Sequence, residues 1–265
     1  LEGKPLGGGV VLYEGAIDLD WDALREFAKE SGDKERGIMY TPGKDPITGE
    51  QGFINRNGYF YPTDSIDIMP LHCAFIHQDH RPDVRAMLAT MESAKDECLL
   101  EYLHRYPIAG KCIWWKIKGH FLVYPPGAYL GSHADTSTDY SYGSPHPTHQ
   151  IATRTVVSTL TFVNDHVETD EELDGTNYTG GVVNFEYLGI QHAPRRGDIL
   201  VFPSNYMAAH DVSLVGGGPR YAHVGWYCHG TPNAEVHESV LDPLENPEQE
   251  ATATNVYMTE GYSIL

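Results

Sequence analysis

Tyr124–Asp135, YPPGAYLGSHAD, and His210–Arg220, HDVSLVGGGPR, are the stretches from which the rest of this chain is read. The first ends in a His-x-Asp pair, His133 and Asp135, after a Pro-Gly bend and a short strand-like run. A strand turns residues i and i+2 to one face, so both side chains can point inward while Ala134 points away. Two imidazoles and one carboxylate can cap one face of an octahedral Fe(II) and leave the opposite face open. His210 is the candidate second imidazole. It must then arrive on a neighbouring strand, which an antiparallel barrel supplies. The expectation is a mononuclear iron site built from His133, Asp135 and His210.

Arg220 follows His210 and opens the apolar run RYAHVGWYC. Burying an unpaired guanidinium is costly, so this Arg needs a counter-anion. Its planar fork suits a carboxylate held through two bonds. An internal Asp or Glu is one such partner. Beside a His/Asp/His set, a dicarboxylate cosubstrate is the reading we favour.

Outward from these stretches the texture has period two. Ile113–Lys118, His120–Tyr124, Thr155–Val163, Val182–Leu188, Ile199–Pro203 and Arg220–His229 alternate or run apolar at strand length, as does a shorter piece at Gly9–Tyr13. Turn residues separate them at Asn164-Asp165, Gly180-Gly181, Arg196-Gly197-Asp198 and Gly216-Gly217-Gly218. Short strands without intervening helices predict an antiparallel sandwich or barrel. Helices are expected at Leu19–Glu30, capped by Asp18 or Asp20, and at Pro82–Tyr106, with Val84, Leu88, Met91, Lys95, Cys98, Leu99, Tyr102 and Leu103 on one face. Residues 31–70 read as loops with one or two short strands. A rival His-x-Asp, His77-Gln78-Asp79, precedes the second helix, where Asp79 or Asp83 is more simply a cap. The division expected is a helical and loop region over 1–109, a β-core over 110–230 and an acidic tail over 231–265, together forming a single domain.

Composition narrows the partners. The 265 residues carry 37 acids against 18 Lys and Arg, a formal charge of −19, which repels phosphate backbones and argues against nucleic acid. No apolar run approaches the roughly 18–20 residues that cross a bilayer, and the first residues lack the pattern of a secretory signal. Cys73, Cys98, Cys112 and Cys228 show no CxxC spacing and read as reduced thiols, hence a cytoplasmic location.

Tyr124, His133, Asp135, Arg154, the run LTFVND at Leu160–Asp165, Gly180-Gly181 with Phe185, Arg196-Gly197-Asp198 before Phe202-Pro203, His210 and Arg220 stand in the order seen in one family. The chain resembles the prolyl-4-hydroxylase-like Fe(II)/2-oxoglutarate-dependent dioxygenases over roughly residues 110–230. The resemblance implies a mainly β fold with flanking helices and a double-stranded β-helix (jelly-roll, cupin-like) core. It implies Fe(II) on His133, Asp135 and His210, 2-oxoglutarate as cosubstrate with its 5-carboxylate on Arg220, and O2 as oxidant. Tyr124 resembles the tyrosine that assists the cosubstrate carboxylate; packing at a strand end is its other reading. Prolyl 4-hydroxylases usually carry Lys where Arg220 stands, which separates this chain from close prolyl hydroxylase relatives. Family halogenases lack the ligand carboxylate, so Asp135 favours hydroxylation.

The function expected is hydroxylation of an unactivated C–H bond in a peptidyl residue (prolyl-type), an amino acid or a small natural-product intermediate, with release of succinate and CO2. The long polar stretch from Thr136 to Thr153 is a candidate substrate cover, with Tyr140 and Tyr142 as contacts and Arg154 as a carboxylate holder. Alternatives are a non-catalytic cupin-like binding domain and a nucleic-acid demethylase of the same superfamily. The demethylases typically add a second Arg shortly after the first, where this chain has Trp226.

Overall fold

The computed structural model describes residues 1–45, 47–55, 60–63, 71–73, 81–113, 115–136, 155–229 and 256–257. Tyr140, Tyr142, Arg154, most of the Thr136–Thr153 stretch and the rival pair His77 and Asp79 lie outside them.

In chain order, β1 (Lys4–Gly7) and β2 (Val10–Tyr13) precede helix α1 (Trp21–Met39). A three-stranded meander follows, β3 (Tyr40–Lys44), β4 (Gln51–Asn55) and β5 (Phe60–Pro62), then β6 (Leu71–Cys73) and helix α2 (Pro82–Arg105). After the short helix α3 (Pro107–Gly110) come β7 (Trp115–Tyr124), β8 (Leu130–His133), β9 (Thr155–Phe162), β10 (His166–Val167), β11 (Tyr178–Thr179), β12 (Val183–Phe185) and β13 (Ile190–His192). The last strands are β14 (Ile199–Pro203), β15 (His210–Val212), β16 (Arg220–Cys228) and β17 (Val256–Tyr257).

Two antiparallel sheets face each other. The larger runs β1-β2-β14-β9-β16-β7-β17, with β6 also on β7; the smaller runs β13-β12-β15-β8. Their inner faces share one core. Leu12, Leu122, Leu160, Phe162, Leu200, Phe202 and Ala222 come from the larger sheet, and Val183, Phe185 and Val212 from the smaller. This is the double-stranded β-helix expected from the sequence. The first strands are part of it, since β2 pairs with β14 and carries the core residues Val10 and Leu12.

The helices cover the outer face of the larger sheet. Val84, Leu88 and Met91 of α2 meet Phe121, Val123 and Tyr221, while Cys98, Leu99 and Tyr102 meet Val157, Ile199, Val201 and Tyr227. α1 adds Trp21, Leu24 and Ala28. Asp20 caps it, its carboxylate accepting from Ala23 N–H at 3.1 Å. At the start of α2 the N-cap is Arg81, which makes no side-chain cap bond and instead pairs with Asp83 at 3.1 Å. Lys95, a charge on the apolar face of α2, is buried because its Nζ meets His223 Nδ1 at 2.6 Å and Glu92 Oε1 at 3.4 Å. Its acidity is raised by that burial, so its pKa falls.

The sequence splits β7 at Gly119, but the structure runs through it. His120 opposes Val224 and Ile117 opposes Trp226, so one extra residue sits on β7 as a bulge. A Cβ on Gly119 would collide with Val224 O and the His223 ring, so only glycine lets β16 approach there. The Val182–Leu188 run also divides: β12 ends at Phe185, and Glu186–Leu188 form a 3-10 turn. Three strands, where one or two were expected, occupy the 40–62 stretch, and Val256–Tyr257 of the tail pairs with β7.

Candidate metal centre and anion pocket

β15 lies beside β8 with His210 opposite His133, so the two sequence stretches meet by direct strand pairing. The imidazole rings are 4.4 Å apart between centroids. Asp135 follows two residues after β8 ends, and its Oδ1 lies 3.7 Å from His133 Nε2. The ligand atoms of His133, Asp135 and His210 all fall within 4.8 Å of one another, the one such group of three found among the described residues.

Each histidine has a fixed tautomer. His133 Nδ1 reaches Gly131 O at 2.8 Å and His210 Nδ1 reaches Ala208 O at 3.1 Å. A carbonyl only accepts, so both Nδ1 atoms carry the proton and Nε2 keeps the lone pair a metal needs. Phe185 and Phe202 pack on the His210 ring at 5.5 and 4.9 Å. Burial lowers the His210 pKa, against the pull of Asp135, and favours the neutral ring that ligates. Ser158 Oγ donates to Asp135 Oδ2 and also contacts Ser204 Oγ at 2.7 Å.

Arg220 is fully buried at the start of β16, with Tyr124 directly opposite on β7. Its carbon Cζ lies 4.9 Å from the Tyr124 ring centroid and 5.6 Å from that of Phe162. Nε donates to Gly181 O at 3.0 Å, whereas Nη1 and Nη2 have no hydrogen-bond partner among the described residues. The internal Asp or Glu considered from the sequence is therefore not bonded to either atom among those residues. Gly181, at φ +60°, is required here: a Cβ would stand 2.8 Å from Arg220 Cδ and 2.9 Å from the Tyr178 ring.

Tyr178 and His192 complete this end, and sequence reasoning missed both. The buried Tyr178 hydroxyl approaches the Arg220 guanidinium but makes no hydrogen bond of normal geometry among the described residues. Burial pushes its pKa up to about 12 while the Arg220 charge pulls it down, so the proton stays on as a donor. His192 Nε2 makes no hydrogen bond among the described residues and lies 3.7 Å from Asp198 Oδ2; burial, reinforced by the Arg220 charge, pushes the His192 pKa down to about 4. Neither residue sits in a motif. The turn signal Gly180-Gly181 beside Tyr178 is the one local cue. Tyr124 lies between the two ends: burial raises its pKa to about 12, Arg220 lowers it and Asp135 raises it.

A fully buried guanidinium with two orphaned nitrogens, beside an orphaned hydroxyl, is a site for a carboxylate. Two Nε2 lone pairs and one carboxylate oxygen are a donor set for Fe(II). The residues present thus fit both groups that the sequence resemblance implies.

No curated protein matches the chain in sequence. Residues 119–228 match the family described as the 2OG-Fe(II) oxygenase superfamily. The fold is similar to the viral collagen prolyl hydroxylase of Paramecium bursaria Chlorella virus-1, solved as a 2-oxoglutarate complex. Identity is 15%, the TM-score is 0.51, and 85% of this chain and 98% of that one are covered. It is also similar to a Trichoplax adhaerens prolyl hydroxylase in complex with a hypoxia inducible factor oxygen degradation domain peptide. There identity is 15%, the TM-score 0.50 and the coverage 83% and 84%. These likenesses are of fold alone; the family match, over residues 119–228, takes in most of β7 and the strands β8 to β16, and it supports reading the chain as a 2OG-Fe(II) oxygenase, a 2-oxoglutarate-dependent dioxygenase.

Proposed function

We propose that this dioxygenase hydroxylates an unactivated C–H bond of a peptidyl residue (prolyl-type), an amino acid or a small natural-product intermediate, converting 2-oxoglutarate to succinate and CO2. The observation that carries the reading is the pairing of a His/Asp/His cluster with a buried Arg whose outer nitrogens have no bonded partner among the described residues. A structural Arg at zero exposure would have its own carboxylate.

In this reading His133, Asp135 and His210 hold Fe(II), which supplies activation of O2 when bound. Arg220 holds the distal carboxylate of the cosubstrate through Nη1 and Nη2, and Tyr178 donates its hydroxyl hydrogen to the same anion. Tyr124 forms the aromatic wall beneath the guanidinium. Phe162, Leu122 and Leu160 exclude water along the interior, which keeps the Arg–carboxylate attraction strong. The Gly131 and Ala208 carbonyls hold the imidazole protons away from the metal. Residues 110–230 act as the catalytic core, with 1–109 supporting it and 231–265 as a tail. Tyr140, Tyr142 and Arg154 remain the proposed substrate contacts.

The test is turnover: Fe(II), 2-oxoglutarate and O2 with protein, measuring succinate alone and then with proline-containing peptides, free amino acids and small amines. Succinate formation that a substrate stimulates, and that His210→Ala abolishes, supports the reading. Metal binding without any succinate across these substrates, in folded protein, would favour the non-catalytic binding domain.

A further inference from the structure

Asp135 stands outside regular structure, two residues beyond the end of β8, so strand pairing does not aim its carboxylate. What does aim it is a pair of buried serines. Ser158, fully buried on β9, faces inward on the same side as Leu160 and Phe162, where a large apolar residue would be expected. Its hydroxyl donates to Asp135 Oδ2. An ionised carboxylate only accepts, so the single Ser158 proton is committed there. The 2.7 Å contact between the two serine oxygens must then have Ser204 donating.

Ser204 is itself anchored. Its N–H donates to Val156 O at 2.9 Å, and its carbonyl accepts from both Thr136 N and Thr136 Oγ1 at 3.0 Å. Thr136 is the residue after Asp135. The loop is thus clamped by its backbone while the hydroxyl chain Ser204→Ser158→Asp135 fixes the side chain.

We propose that Ser158 and Ser204 are positioning residues that make Asp135 a one-oxygen ligand. They occupy Oδ2 and leave Oδ1, at 3.7 Å from His133 Nε2, turned to the metal. The inference rests on the reading of His133, Asp135 and His210 as metal ligands. Without Ser158, Oδ2 is released and the carboxylate can rotate or bind through both oxygens, changing affinity and coordination number together. Partners of this kind, bonded to a ligand and not to the metal, typically control about 10–100-fold in metal affinity.

The experiment titrates metal-free protein with Co(II) as the probe and follows its visible absorption, with thermal unfolding of the metal-free form beside it. Wild type is expected to bind. Ser158→Ala is expected to raise Kd by about tenfold or more and to alter the Co(II) spectrum, with the metal-free protein still folding cooperatively and losing only the stability of one buried hydrogen bond. Ser204→Ala should give a smaller rise, roughly threefold, the size of one neutral hydrogen bond. Ser158→Thr keeps the hydroxyl on a strand that tolerates β-branching and should restore both affinity and spectrum. Ser158→Ala with wild-type Kd and spectrum overturns the proposal while leaving the metal reading intact. Wild type that binds no Co(II) overturns the metal reading itself, and the proposal with it.

Discussion

At the triad end of the barrel interior, His133 Nδ1, His210 Nδ1 and Asp135 Oδ2 each have a protein partner. At the Arg220 end, Nη1, Nη2 and the Tyr178 hydroxyl make no hydrogen bond of normal geometry among the described residues. One end is satisfied apart from the atoms that would meet a metal. The other is left, among the described residues, with buried donors that a bound anion would satisfy. The difference separates their energetics: the triad is pre-organised by hydrogen bonds that exist in the metal-free protein, while the anion end carries an unmet desolvation cost that a ligand relieves.

The largest expected effect comes from breaking the satisfied end. His210→Ala removes one of three ligands and should abolish metal-dependent 2-oxoglutarate turnover, measured as succinate.

Next is the unsatisfied end. Arg220→Met should weaken 2-oxoglutarate binding by about 3 kcal/mol, roughly 200-fold, measured as Kd by titration in the presence of metal. The same variant should leave the ligand-free protein as stable as wild type or more so, because an incompletely bonded buried charge is replaced by an apolar chain. For wild type, 2-oxoglutarate at 100 times Kd should add about 2.7 kcal/mol of stability, an increment Arg220→Met loses at the same concentration. If the variant is instead strongly destabilised without ligand, the anion end is not unsatisfied and the contrast fails.

The positions of these ends were unequally legible in the sequence. The triad and Arg220 could be read because each residue type announces its chemistry and the His-x-Asp spacing is local. Their meeting could be inferred only from a barrel, and the barrel from period-two runs such as Thr155–Val163. Ser158, Ser204, Tyr178 and His192 act through neighbours on other strands, brought together by register. No local pattern records the Ser158–Ser204 contact or the approach of Tyr178 to Arg220. β8, β12 and β15 have four, three and three residues, too short for alternation to stand out, although they carry or support the ligands. The bulge at Gly119 is set by what β16 needs, so the sequence reads there as a break.

A smaller effect sharpens the role of the hydroxyl. Tyr178→Phe removes one bond to a charged acceptor and should raise the Kd for 2-oxoglutarate by about 1.5 kcal/mol, on the order of tenfold, with metal affinity unchanged.

The smallest concerns pH. The His192 pKa falls from 6.5 to about 4 in the fold. The unfolded chain then binds this proton first as pH drops. The stabilisation from neutral His192 is therefore full above 6.5 and lost between 6.5 and 4, at most about 3 kcal/mol. His192→Gln should flatten urea-unfolding stability across that window by up to this amount, with little change at pH 7.5.

The most direct test joins the two ends in one sample. Under anaerobic conditions, Fe(II) and then 2-oxoglutarate are added to wild type, His210→Ala and Arg220→Met, and the weak visible charge-transfer band of a chelated 2-oxo acid is followed. The account predicts a band in wild type, none in His210→Ala, and the same band in Arg220→Met only at far higher cosubstrate. Folded wild type with iron supplied and no band at any 2-oxoglutarate concentration would contradict it.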